Sequence, residues 1–358
     1  MRAFHHPDQV LHAPQQYMRF GRLAPVRDLP ARTERLLGAL ARRGVAVEPP
    51  PALGTGPALA VHTPAYLRFL ETAWARWEAL PDRGPEVWPN TFPYWSGRPG
   101  EAARPDCPAT GLIGQAGWYL GDLSVPMGPG TWTSALRSTE TAAAAADALV
   151  AGERSAYALC RPSGHHARAD RATGFCYLNN SAIAARRLTP HGSGFARVAI
   201  VDVDAHHGDG TQQIFYASAD VLTVSIHADP TDYYPFYTGY AAEAGHGAGE
   251  GFNLNLPLPH GSGGDAMAAA LDAAAERVRG FGAEALVVAL GFDAHRDDPI
   301  GVLKLDAADF HAVGRRLAAL GLPTLVVQEG GYALDAIGPC LDAFLGGFLG
   351  DAVEGSAA

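Results

Sequence analysis

The sequence predicts an α/β domain in which a mainly parallel sheet is covered by helices on both faces. From about residue 139 onward, helix-like and strand-like segments alternate along the chain. The strand-like segments are continuous runs of apolar, often β-branched residues, which is typical of parallel strands buried on both faces. Hydrophobic residues make up 47% of the 358 positions and charged residues 18%, so the chain can bury a large core.

The alternation can be followed in chain order. Residues 139–152, "TETAAAAADALVAG", begin with a threonine capping signal and continue with strong helix formers, so they predict a helix. The next segment, "AYALC" at 156–160, predicts a strand. Later helices are predicted at "NNSAIAARRL", "GDAMAAALDAAAERVRGFG" and "DFHAVGRRLAALG", and later strands at "RVAIVDVD", "VLTVSIH", "ALVVALGFD" and "TLVVQEGGY". No internal repeat is visible, and we expect a single domain over residues 1–358.

An aromatic insertion at about residues 72–131 breaks this rhythm. It is rich in proline and glycine and contains five of the six tryptophans, which are Trp74, Trp77, Trp88, Trp95 and Trp118. Long irregular segments of this kind are usually functional loops or interfaces, and this one is too apolar to be left in water. Aromatic residues are also enriched at the cores of interfaces between subunits. We therefore predict an interface.

Charge and cysteine usage limit the class of protein. The net charge of −10 disfavours binding to nucleic acid or to an anionic membrane through a broad basic surface. The four cysteines, Cys107, Cys160, Cys176 and Cys340, show no paired spacing and fit a reducing compartment. The N-terminus has no apolar signal region, and no uncharged apolar stretch reaches about 18 residues. We expect a cytoplasmic protein.

Polar residues follow each of the five predicted strands. They are His165 and His166 after the first strand, Asp202, Asp204, His206, His207 and Asp209 after the second, Ser225 and His227 after the third, Asp293 after the fourth, and Tyr332 after the fifth. Ligands of open parallel sheets bind beyond the carboxyl ends of the strands. We therefore expect one site rich in histidine and aspartate. Two glycines before Tyr332 would let the backbone turn and expose the phenol.

The segment "VDVDAHHGDG" suggests a metal site. Alternate residues of an extended segment point the same way, so Asp202, Asp204 and His206 can share one face. Carboxylate and imidazole ligands without thiolate suit zinc or another borderline divalent metal. With Asp293 as a third ligand from a separate loop, the metal would have three protein ligands and would keep open positions, as catalytic metals require. Such a metal lowers the pKa of bound water from about 16 to roughly 7 and polarises a carbonyl.

A structural interpretation of the same residues has to be weighed. A single histidine at a strand end is more often a hydrogen-bonded structural residue, and Asp293 alone could be a helix cap or a loop carboxylate. Adjacent histidines at two strand ends, with aspartates between them, are poorly explained in this way. Cys160 and Cys176 flank the first histidine pair and are predicted to be small buried apolar residues.

The motifs resemble the signature blocks of a known family, the zinc-dependent deacetylases. The segments are "RPSGHHA", "GFCYLNN", "VDVDAHHGDGTQQIFY", "VSIHADP", "GFDAHRDDPIG" and "EGGY", and they cover most of residues 155 to 335. The family includes histone deacetylases and bacterial acetylpolyamine amidohydrolases and has an arginase-like α/β fold. Similarity to the acetylpolyamine branch continues upstream through "VHTPAYLRFLETAWARW" and "GPGTW". The resemblance thus spans nearly the whole chain and implies a zinc-dependent deacetylase.

The resemblance implies two kinds of metal site. Zinc would be bound by Asp204, His206 and Asp293, with iron(II) as an alternative metal. Structural potassium ions would occupy two further sites, which use backbone carbonyls as well as side chains. The inner site matches Asp202, Asp204, His206, Ser225 and Ile226, and the outer site matches Phe215, Ser218, Val221 and Phe252.

The resemblance also implies catalytic and substrate-binding roles. The catalytic group comprises His166 as the general base, His165 as its electrostatic partner or acid, Asp209 and Asp202 as the residues that orient His166 and His165, and Tyr332 as the donor to the oxyanion. The substrate would contact the aromatic walls Phe175 and Tyr234, and Gly174 would accept a hydrogen bond from the scissile amide. General base catalysis typically contributes about 10²–10⁴-fold to the rate, and one oxyanion donor about 10²–10³-fold.

The substrate implied by the resemblance is a small acetylated amine. The insertion resembles a loop that builds a homodimer and narrows the entrance, which would exclude folded proteins. One departure concerns charge: around the "GQ" stretch, Ile113 and Ser124 stand where acidic residues would meet a distant ammonium, and only Asp122 is close. Arg19 and Arg22 add positive charge near the N-terminus. Acetylated diamines, acetyl-lysine-like molecules and other small amides therefore all remain open.

Three other functions are compatible with the sequence. A protein acetyl-lysine deacetylase would use the same chemistry. An arginase-type guanidine hydrolase would need a second divalent metal, so a count of metal ions per chain would distinguish it. A non-catalytic protein that binds a metal or acetyl groups is the third, although every catalytic position is filled.

Overall fold

Eight parallel strands form the central sheet in the computed structural model, which describes residues 1–93, 104–189 and 194–350. In chain order the strands are β1 (Arg2–Phe4), β2 (Gln16–Arg19), β3 (Arg22–Pro25), β4 (Val47–Glu48), β5 (Ser155–Ala158), β6 (Val198–Asp202), β7 (Val221–Ala228), β8 (Asn253–Leu258), β9 (Ala285–Leu290) and β10 (Thr324–Gln328). The order across the sheet is β4-β1-β5-β10-β9-β6-β7-β8, and each neighbouring pair is parallel. Strands β2 and β3 form a separate antiparallel hairpin.

Helices cover both faces of this sheet. They are α1 (Ala31–Arg42), α2 (Gly56–Leu59), α3 (Pro64–Glu78), α4 (Leu112–Tyr119), α5 (Thr131–Val150), α6 (Asn180–Leu188), α7 (Asp209–Phe215), α8 (Gly264–Phe281), α9 (Ala307–Ala318) and α10 (Leu334–Leu349). Within the described ranges, no helix combines the length and the apolar character needed to cross a membrane.

Side chains of the central strands alternate between two cores. Ala199 and Val201 of β6 belong to the core that contains residues of α1, α8, α9 and α10, whereas Val198 and Ile200 belong to the core that contains residues of α5 and α6. This alternation is the period-2 geometry of a strand buried on both faces. The predicted fold class, a mainly parallel sheet with helices on both faces, is confirmed.

The sequence missed some elements at the margins. Helix α5 begins at Thr131, eight residues before the predicted start. The prediction missed this first part because Thr131, Ser134 and Ser138 are polar and yet buried, so they do not show the apolar pattern of a buried helix face. The edge strands β4 and β8 were not predicted: β4 has two residues, and β8 contains a proline and is only partly buried. Such short or irregular edges are common in sheets and leave little periodic signal.

The described part of the aromatic insertion packs on the chain itself. It contains the end of α3 and all of α4, which share a third apolar cluster. Trp77 is buried there, and its Nε1 donates a hydrogen bond to the Gly84 carbonyl at 3.0 Å. Trp74 and Trp118 pack against the same cluster. Trp95 lies outside the described residues, and the predicted dimer interface stays a prediction.

Candidate active site

Five neighbouring strands bring the predicted site residues to one edge of the sheet. Strands β5, β10, β9, β6 and β7 are consecutive in the sheet, and all run in the same direction. The polar segments that follow them therefore meet beyond their carboxyl ends, as the sequence predicts. His165, His166, His206 and Tyr332 line one cavity there.

Asp204, His206 and Asp293 form a compact group that could hold a metal. One ligand atom from each residue lies within 4.8 Å of the other two, and all three residues are buried. The Nδ1 atom of His206 is 2.9 Å from Asp293 Oδ2 and 3.2 Å from Asp204 Oδ1.

Asp202 does not join this group, contrary to the expectation of one shared face. Strand β6 ends at Asp202, and the chain then bends: the Asp204 amide donates to Asp202 Oδ1, and the His206 amide donates to Asp204 Oδ1. These local hydrogen bonds from backbone to side chain replace the extended geometry. The Asp202 carboxylate is directed to His165 instead, at 2.9 Å.

The electrostatics of this group fit a divalent cation. Burial and, to a smaller extent, the neighbouring Asp204 carboxylate together raise the pKa of Asp293 to about 7. Burial also disfavours ionised Asp204, but His165 and His206 outweigh it, and the pKa of Asp204 lies below its ordinary value. Two crowded carboxylates and an imidazole nitrogen, without a thiolate, are a suitable donor set for zinc. The nearby glycines are needed, since a Cβ on Gly291 would lie 2.1 Å from Asp204 Oδ2.

Two histidine–aspartate pairs lie beside the metal-binding group. His165 Nδ1 is 2.9 Å from Asp202 Oδ2, and His166 Nδ1 is 2.8 Å from Asp209 Oδ1. The two imidazole rings are 4.0 Å apart, and all four side chains are buried. The structure therefore brings together the four residues that the resemblance assigns to these pairs.

The pKa values of the two histidines move in opposite directions. Burial lowers the pKa of His165, but the carboxylates of Asp202 and Asp204 outweigh burial and raise it well above the ordinary value. Burial lowers the pKa of His166 to about 4, and the adjacent His165 lowers it too. His166 is therefore neutral near pH 7, whereas His165 is held as the cation.

Arg168 distinguishes the environment of the second pair. Its guanidinium donates to Asp209 Oδ2 at 2.9 Å, while the other oxygen of Asp209 accepts from His166. Burial disfavours ionised Asp209, but Arg168 outweighs it, so the pKa of Asp209 lies below its ordinary value. An ionised Asp209 places the proton of neutral His166 on Nδ1. The Nε2 atom of His166 is then unprotonated and can act as a base.

The Gly-Gly turn that carries Tyr332 is restrained by a buried arginine. The buried guanidinium of Arg32 donates to the Gly331 carbonyl at 2.5 Å and to the Glu329 carbonyl at 2.7 Å, and it lies 4.9 Å from the centre of the Tyr332 ring. Gly331 adopts φ +114°, which favours glycine. Burial raises the pKa of Tyr332 well above 10, so its phenol keeps its proton.

Aromatic side chains form the walls of the cavity, whose volume is about 210 Å³. Phe175 and Tyr234 both line it, and the Tyr234 ring meets the His166 ring edge-on at 5.0 Å. Gly174 is required beside His166, because a Cβ there would lie 2.4 Å from the imidazole Cδ2 atom and the backbone has φ +55°. Residues named as substrate contacts are thus adjacent to the two histidine pairs.

Asp122 supports this wall and is not free to bind a distant ammonium. Its Oδ2 atom accepts from the Tyr234 hydroxyl at 2.7 Å and from the Gly174 amide at 3.0 Å. Its Oδ1 atom accepts from the amide and hydroxyl of Ser124. At the mouth, Arg19 from the β2–β3 hairpin donates to the Pro299 carbonyl at 3.3 Å.

The residues matched to monovalent cations lie around the two ends of β7. Ser225 and Ile226 are near its carboxyl end, where Asp202 pairs with Ser225. The outer set surrounds its first residue, Val221. In that set the Phe215 carbonyl accepts from the Ser218 amide at 2.8 Å, and the Phe252 carbonyl accepts from the Thr223 amide at 3.0 Å. Each carbonyl has a second lone pair that could face an ion.

Sequence reasoning missed several buried charges that support the site. Arg32 comes from α1, and nothing in its local sequence marks it as functional. Arg161 donates to Asp28 Oδ1 at 3.0 Å and to carbonyls of the N-terminal segment. Its place in the block "RPSGHHA", beside the histidine pair, was a signal that could have identified it. Glu329, from "EGGY", accepts from the amides of Gly164 and His165, and burial raises its pKa to about 7.

Comparisons with known proteins identify the family of this chain. A family model described as the histone deacetylase domain matches residues 27–348. The chain is 46% identical over 349 residues to an acetylpolyamine amidohydrolase of Burkholderia pseudomallei (strain 1710b), covering 97% of this chain and 98% of that protein. It is 45% identical over 333 residues to acetylpolyamine amidohydrolase 1 of Pseudomonas aeruginosa, covering 92% and 94%.

A solved structure is also similar over nearly the full length. The crystal structure of acetylpolyamine aminohydrolase from Burkholderia pseudomallei has a TM-score of 0.91 to this chain at 45% sequence identity, covering 97% of this chain and 98% of that chain. These matches confirm both the family resemblance and the class of enzyme, a deacetylase acting on amide bonds, that the sequence predicts.

Proposed function

Because this chain belongs to the histone deacetylase family, we propose that it removes acetyl groups from small acetylated amines with the help of one divalent metal ion. The products are acetate and the free amine. The main support is the juxtaposition, at one cavity, of a group that could bind a metal, a neutral histidine with its basic nitrogen free, and a protonated phenol. Metal-assisted amide hydrolysis uses these three functions, a Lewis acid, a general base and a donor to the oxyanion, together.

Asp204, His206 and Asp293 would hold the metal, with zinc as the proposed ion and iron(II) as the alternative. When bound, such an ion supplies Lewis-acid chemistry, which polarises a carbonyl and lowers the pKa of water. The remaining steps belong to the side chains around it.

His166 is the proposed general base. Asp209 holds its Nδ1 proton, so the Nε2 atom can take a proton from the attacking water. His165 stays cationic, and its charge favours the negative charge that develops on the acetyl oxygen. Once His166 is protonated, it can return the proton to the leaving amine.

Tyr332 is the proposed donor to the oxyanion. Its phenol is neutral near pH 7 because burial raises its pKa, so it can donate a hydrogen bond without carrying charge. Phe175 and Tyr234 would grip the methylene chain of the substrate, and the Gly174 carbonyl would accept from the scissile amide.

The proposed substrate class is small and slim. The two similar bacterial proteins are named acetylpolyamine amidohydrolases, and the aromatic cavity suits an alkyl chain. The oxygens of Asp122 are engaged with the wall, and Arg19 adds positive charge at the mouth. Acetylated diamines and similar amides with little distal positive charge are therefore favoured over acetylated polycations. A protein acetyl-lysine deacetylase is the alternative.

Three further properties remain proposals. The insertion at about 72–131 would form a homodimer that narrows the entrance, and a monomeric mass by light scattering would contradict it. Potassium would bind at the two sets of carbonyl groups around β7. We expect the melting temperature to fall when potassium is exchanged for a larger monovalent ion. The four free cysteines are compatible with the predicted cytoplasmic location.

The test is turnover on a panel of acetylated diamines, acetylated polyamines and acetyl-lysine peptides. We expect the zinc-loaded chain to release acetate from small amides, to lose this activity on chelation and to regain it with zinc. Asp293→Asn should lower zinc content and reduce turnover by at least about a thousandfold. Asp297→Asn is the matched control, because this neighbouring carboxylate is 73% exposed, and zinc and turnover should be retained.

Several outcomes would contradict the proposal. Failure of the zinc-loaded wild-type chain to cleave any member of the panel would reject it. Faster cleavage of peptides than of small amides would favour the protein deacetylase. Two divalent ions per chain, with guanidine hydrolysis, would favour the arginase-type enzyme.

A further inference from the structure

We infer that Asp298 is a positioning residue that fixes the backbone turn carrying Tyr332, so that the phenol stays aimed into the cavity. The inference rests on the proposed function, in which Tyr332 donates to the oxyanion. Asp298 lies in the loop after β9, five residues beyond Asp293, and its side chain is buried.

The Asp298 carboxylate joins two loops through four backbone amides. Its Oδ2 atom accepts from the amides of Tyr332 at 2.7 Å and Ala333 at 3.3 Å. Its Oδ1 atom accepts from the amides of Ile300 at 3.0 Å and Gly301 at 3.1 Å. Charge-assisted hydrogen bonds to a buried carboxylate are stronger than neutral ones, so each loop restrains the other.

The turn needs this restraint because its sequence provides little. Gly330 and Gly331 have no side chains that could fix the backbone, and Gly331 lies in the left-handed region. Gly330 cannot be replaced cheaply, because a Cβ there would lie 2.6 Å from oxygens of both Asp204 and Asp293. The site therefore requires glycines at the positions where the backbone must also be held in one fixed conformation.

Two buried charges hold opposite sides of the turn. Arg32 donates to the carbonyls of Glu329 and Gly331, whereas Asp298 accepts from the amides of Tyr332 and Ala333. Arg32 thus acts before the phenol-bearing residue, and Asp298 acts at that residue itself. Asp298 is thus the side chain that accepts a hydrogen bond from the amide of the phenol-bearing residue itself.

The other loop held by Asp298 belongs to the cavity wall. Ile300 lines the cavity and packs in one apolar cluster with Tyr332, Tyr17 and Phe175. Tyr332 also meets Phe175 edge-on, with ring centres 5.8 Å apart. Asp298 therefore couples the position of the phenol to the wall that contacts the substrate. The Gly330 amide, two residues before Tyr332, is held separately by Asp204 Oδ2 at 2.9 Å.

The first experiment is a double-mutant cycle in the full-length, zinc-loaded chain. Asp298→Asn keeps the size of the side chain but replaces one acceptor oxygen with a donor. We expect kcat to fall about 10- to 100-fold, with KM changed by less than about threefold and zinc content unchanged, since a misplacement of about 1 Å can cost about 100-fold. In the Tyr332→Phe background the same change should cost less than about threefold.

The matched control is Asp306→Asn. Asp306 also accepts from two backbone amides, those of Ala308 and Asp309, where it caps α9 away from the cavity. This variant should lose some thermal stability but keep the wild-type kcat. Equal losses of kcat from Asp298→Asn in both backgrounds, or a wild-type kcat for Asp298→Asn, would overturn the inference.

A second variant protects the test against misfolding. Asp298→Glu keeps the charge and both acceptor oxygens but displaces them by one methylene. It should also lower kcat, and this loss should also disappear in the Tyr332→Phe background. Persistence of the loss in that background would overturn the inference.

A readout without turnover separates this inference from the proposed function. In the metal-free chain labelled with 3-fluorotyrosine, the ¹⁹F resonance of Tyr332 is assigned by its absence in Tyr332→Phe. We expect this resonance to shift or broaden in Asp298→Asn but not in Asp306→Asn. An unchanged Tyr332 resonance in Asp298→Asn would overturn the inference even if the chain proves to be a deacetylase, and a shifted one would support it even if the wild-type chain cleaves no acetylated amine.

Discussion

The two histidine–aspartate pairs of the site contain the same functional groups at nearly the same distance, 2.9 Å for His165 with Asp202 and 2.8 Å for His166 with Asp209. Their electrostatics nevertheless differ. The pKa of His165 is raised, whereas burial lowers that of His166 to about 4. The pair geometry alone therefore does not determine the protonation state, and the groups around each pair do.

The surroundings of the two aspartates explain the difference. Around His165 the further charges are negative, from Asp204 and Glu329. Around His166 the further charges are positive: Arg168 donates to the free oxygen of Asp209, and cationic His165 lies next to the ring. One histidine is thus held protonated and its neighbour neutral. Pairs of titratable groups whose pKa values are pushed apart in this way commonly identify the acid and the base of an active site.

The largest expected effect comes from removing the two rings separately. His166→Ala should lower kcat/KM by about 10³-fold or more, because it removes the proposed general base. His165→Ala should cost less, about 10- to 100-fold, because it removes a stabilising charge but leaves the base. Turnover of zinc-loaded variants with matched zinc content measures both. Equal losses would mean that the two pairs are not divided into different roles.

Tyr332→Phe should be next in size and should affect neither pair. Loss of one oxyanion donor is expected to lower kcat by about 10²–10³-fold with normal zinc content. Because the phenol contacts neither aspartate, the pH at which kcat/KM falls on the acid side should not move. A pH profile with a displaced acid limb would contradict this separation, and a near wild-type rate would remove Tyr332 from the mechanism.

A smaller effect is expected when the second pair is made to resemble the first. Arg168→Met removes the guanidinium from Asp209, so the full charge of Asp209 acts on His166 and raises the pKa of the imidazole. The base must be neutral to act, so the acid limb of kcat/KM should move to higher pH. We expect about a tenfold loss at the low end of the profile and little loss above it. An acid limb at the wild-type position would contradict the role given to Arg168.

The smallest effect concerns a buried histidine outside the catalytic group. Burial lowers the pKa of His62 to about 4; its Nδ1 donates to the Arg168 carbonyl, and its Nε2 accepts from the Asn179 amide. A lowered folded-state pKa gives stability that is present above about pH 6.5 and is lost as the pH falls toward 4. In His62→Gln, the free energy of unfolding should depend less steeply on pH in this window, by at most about 1.4 kcal/mol per pH unit. Urea unfolding at several pH values measures it, and an unchanged slope would contradict the expectation.

The central strands and the chemistry at their ends could be predicted from the sequence. Runs such as "RVAIVDVD" place apolar side chains on both faces of a strand. Such strands are typical of a parallel sheet that is covered by helices on both sides, whatever the order of the strands in the sheet. The direction of parallel strands then brings His166, Asp204, Asp293 and Tyr332 to one edge. Among the elements that were missed, β4 is too short, the start of α5 is too polar and β8 is too irregular to carry a periodic signal.

Which charge meets which partner was decided only by the tertiary structure. Asp202 and Asp204 are two residues apart, yet one contacts His165 and the other joins His206 and Asp293, because the chain bends after β6. Arg32 reaches the turn that carries Tyr332 from a helix almost 300 positions away.

The physical reason lies in the range of the interactions. Hydrophobic periodicity is a local property, so the sequence by itself determined which segments are buried strands and helices and which residue types end them. Hydrogen bonds between loops depend on which strand ends are neighbours, and the order β5-β10-β9-β6-β7 does not follow the chain. Three features therefore exist only once the sheet is assembled. They are the pairing of Asp209 with Arg168, the hydrogen bond from the Tyr332 amide to Asp298, and the opposite protonation of the two histidines.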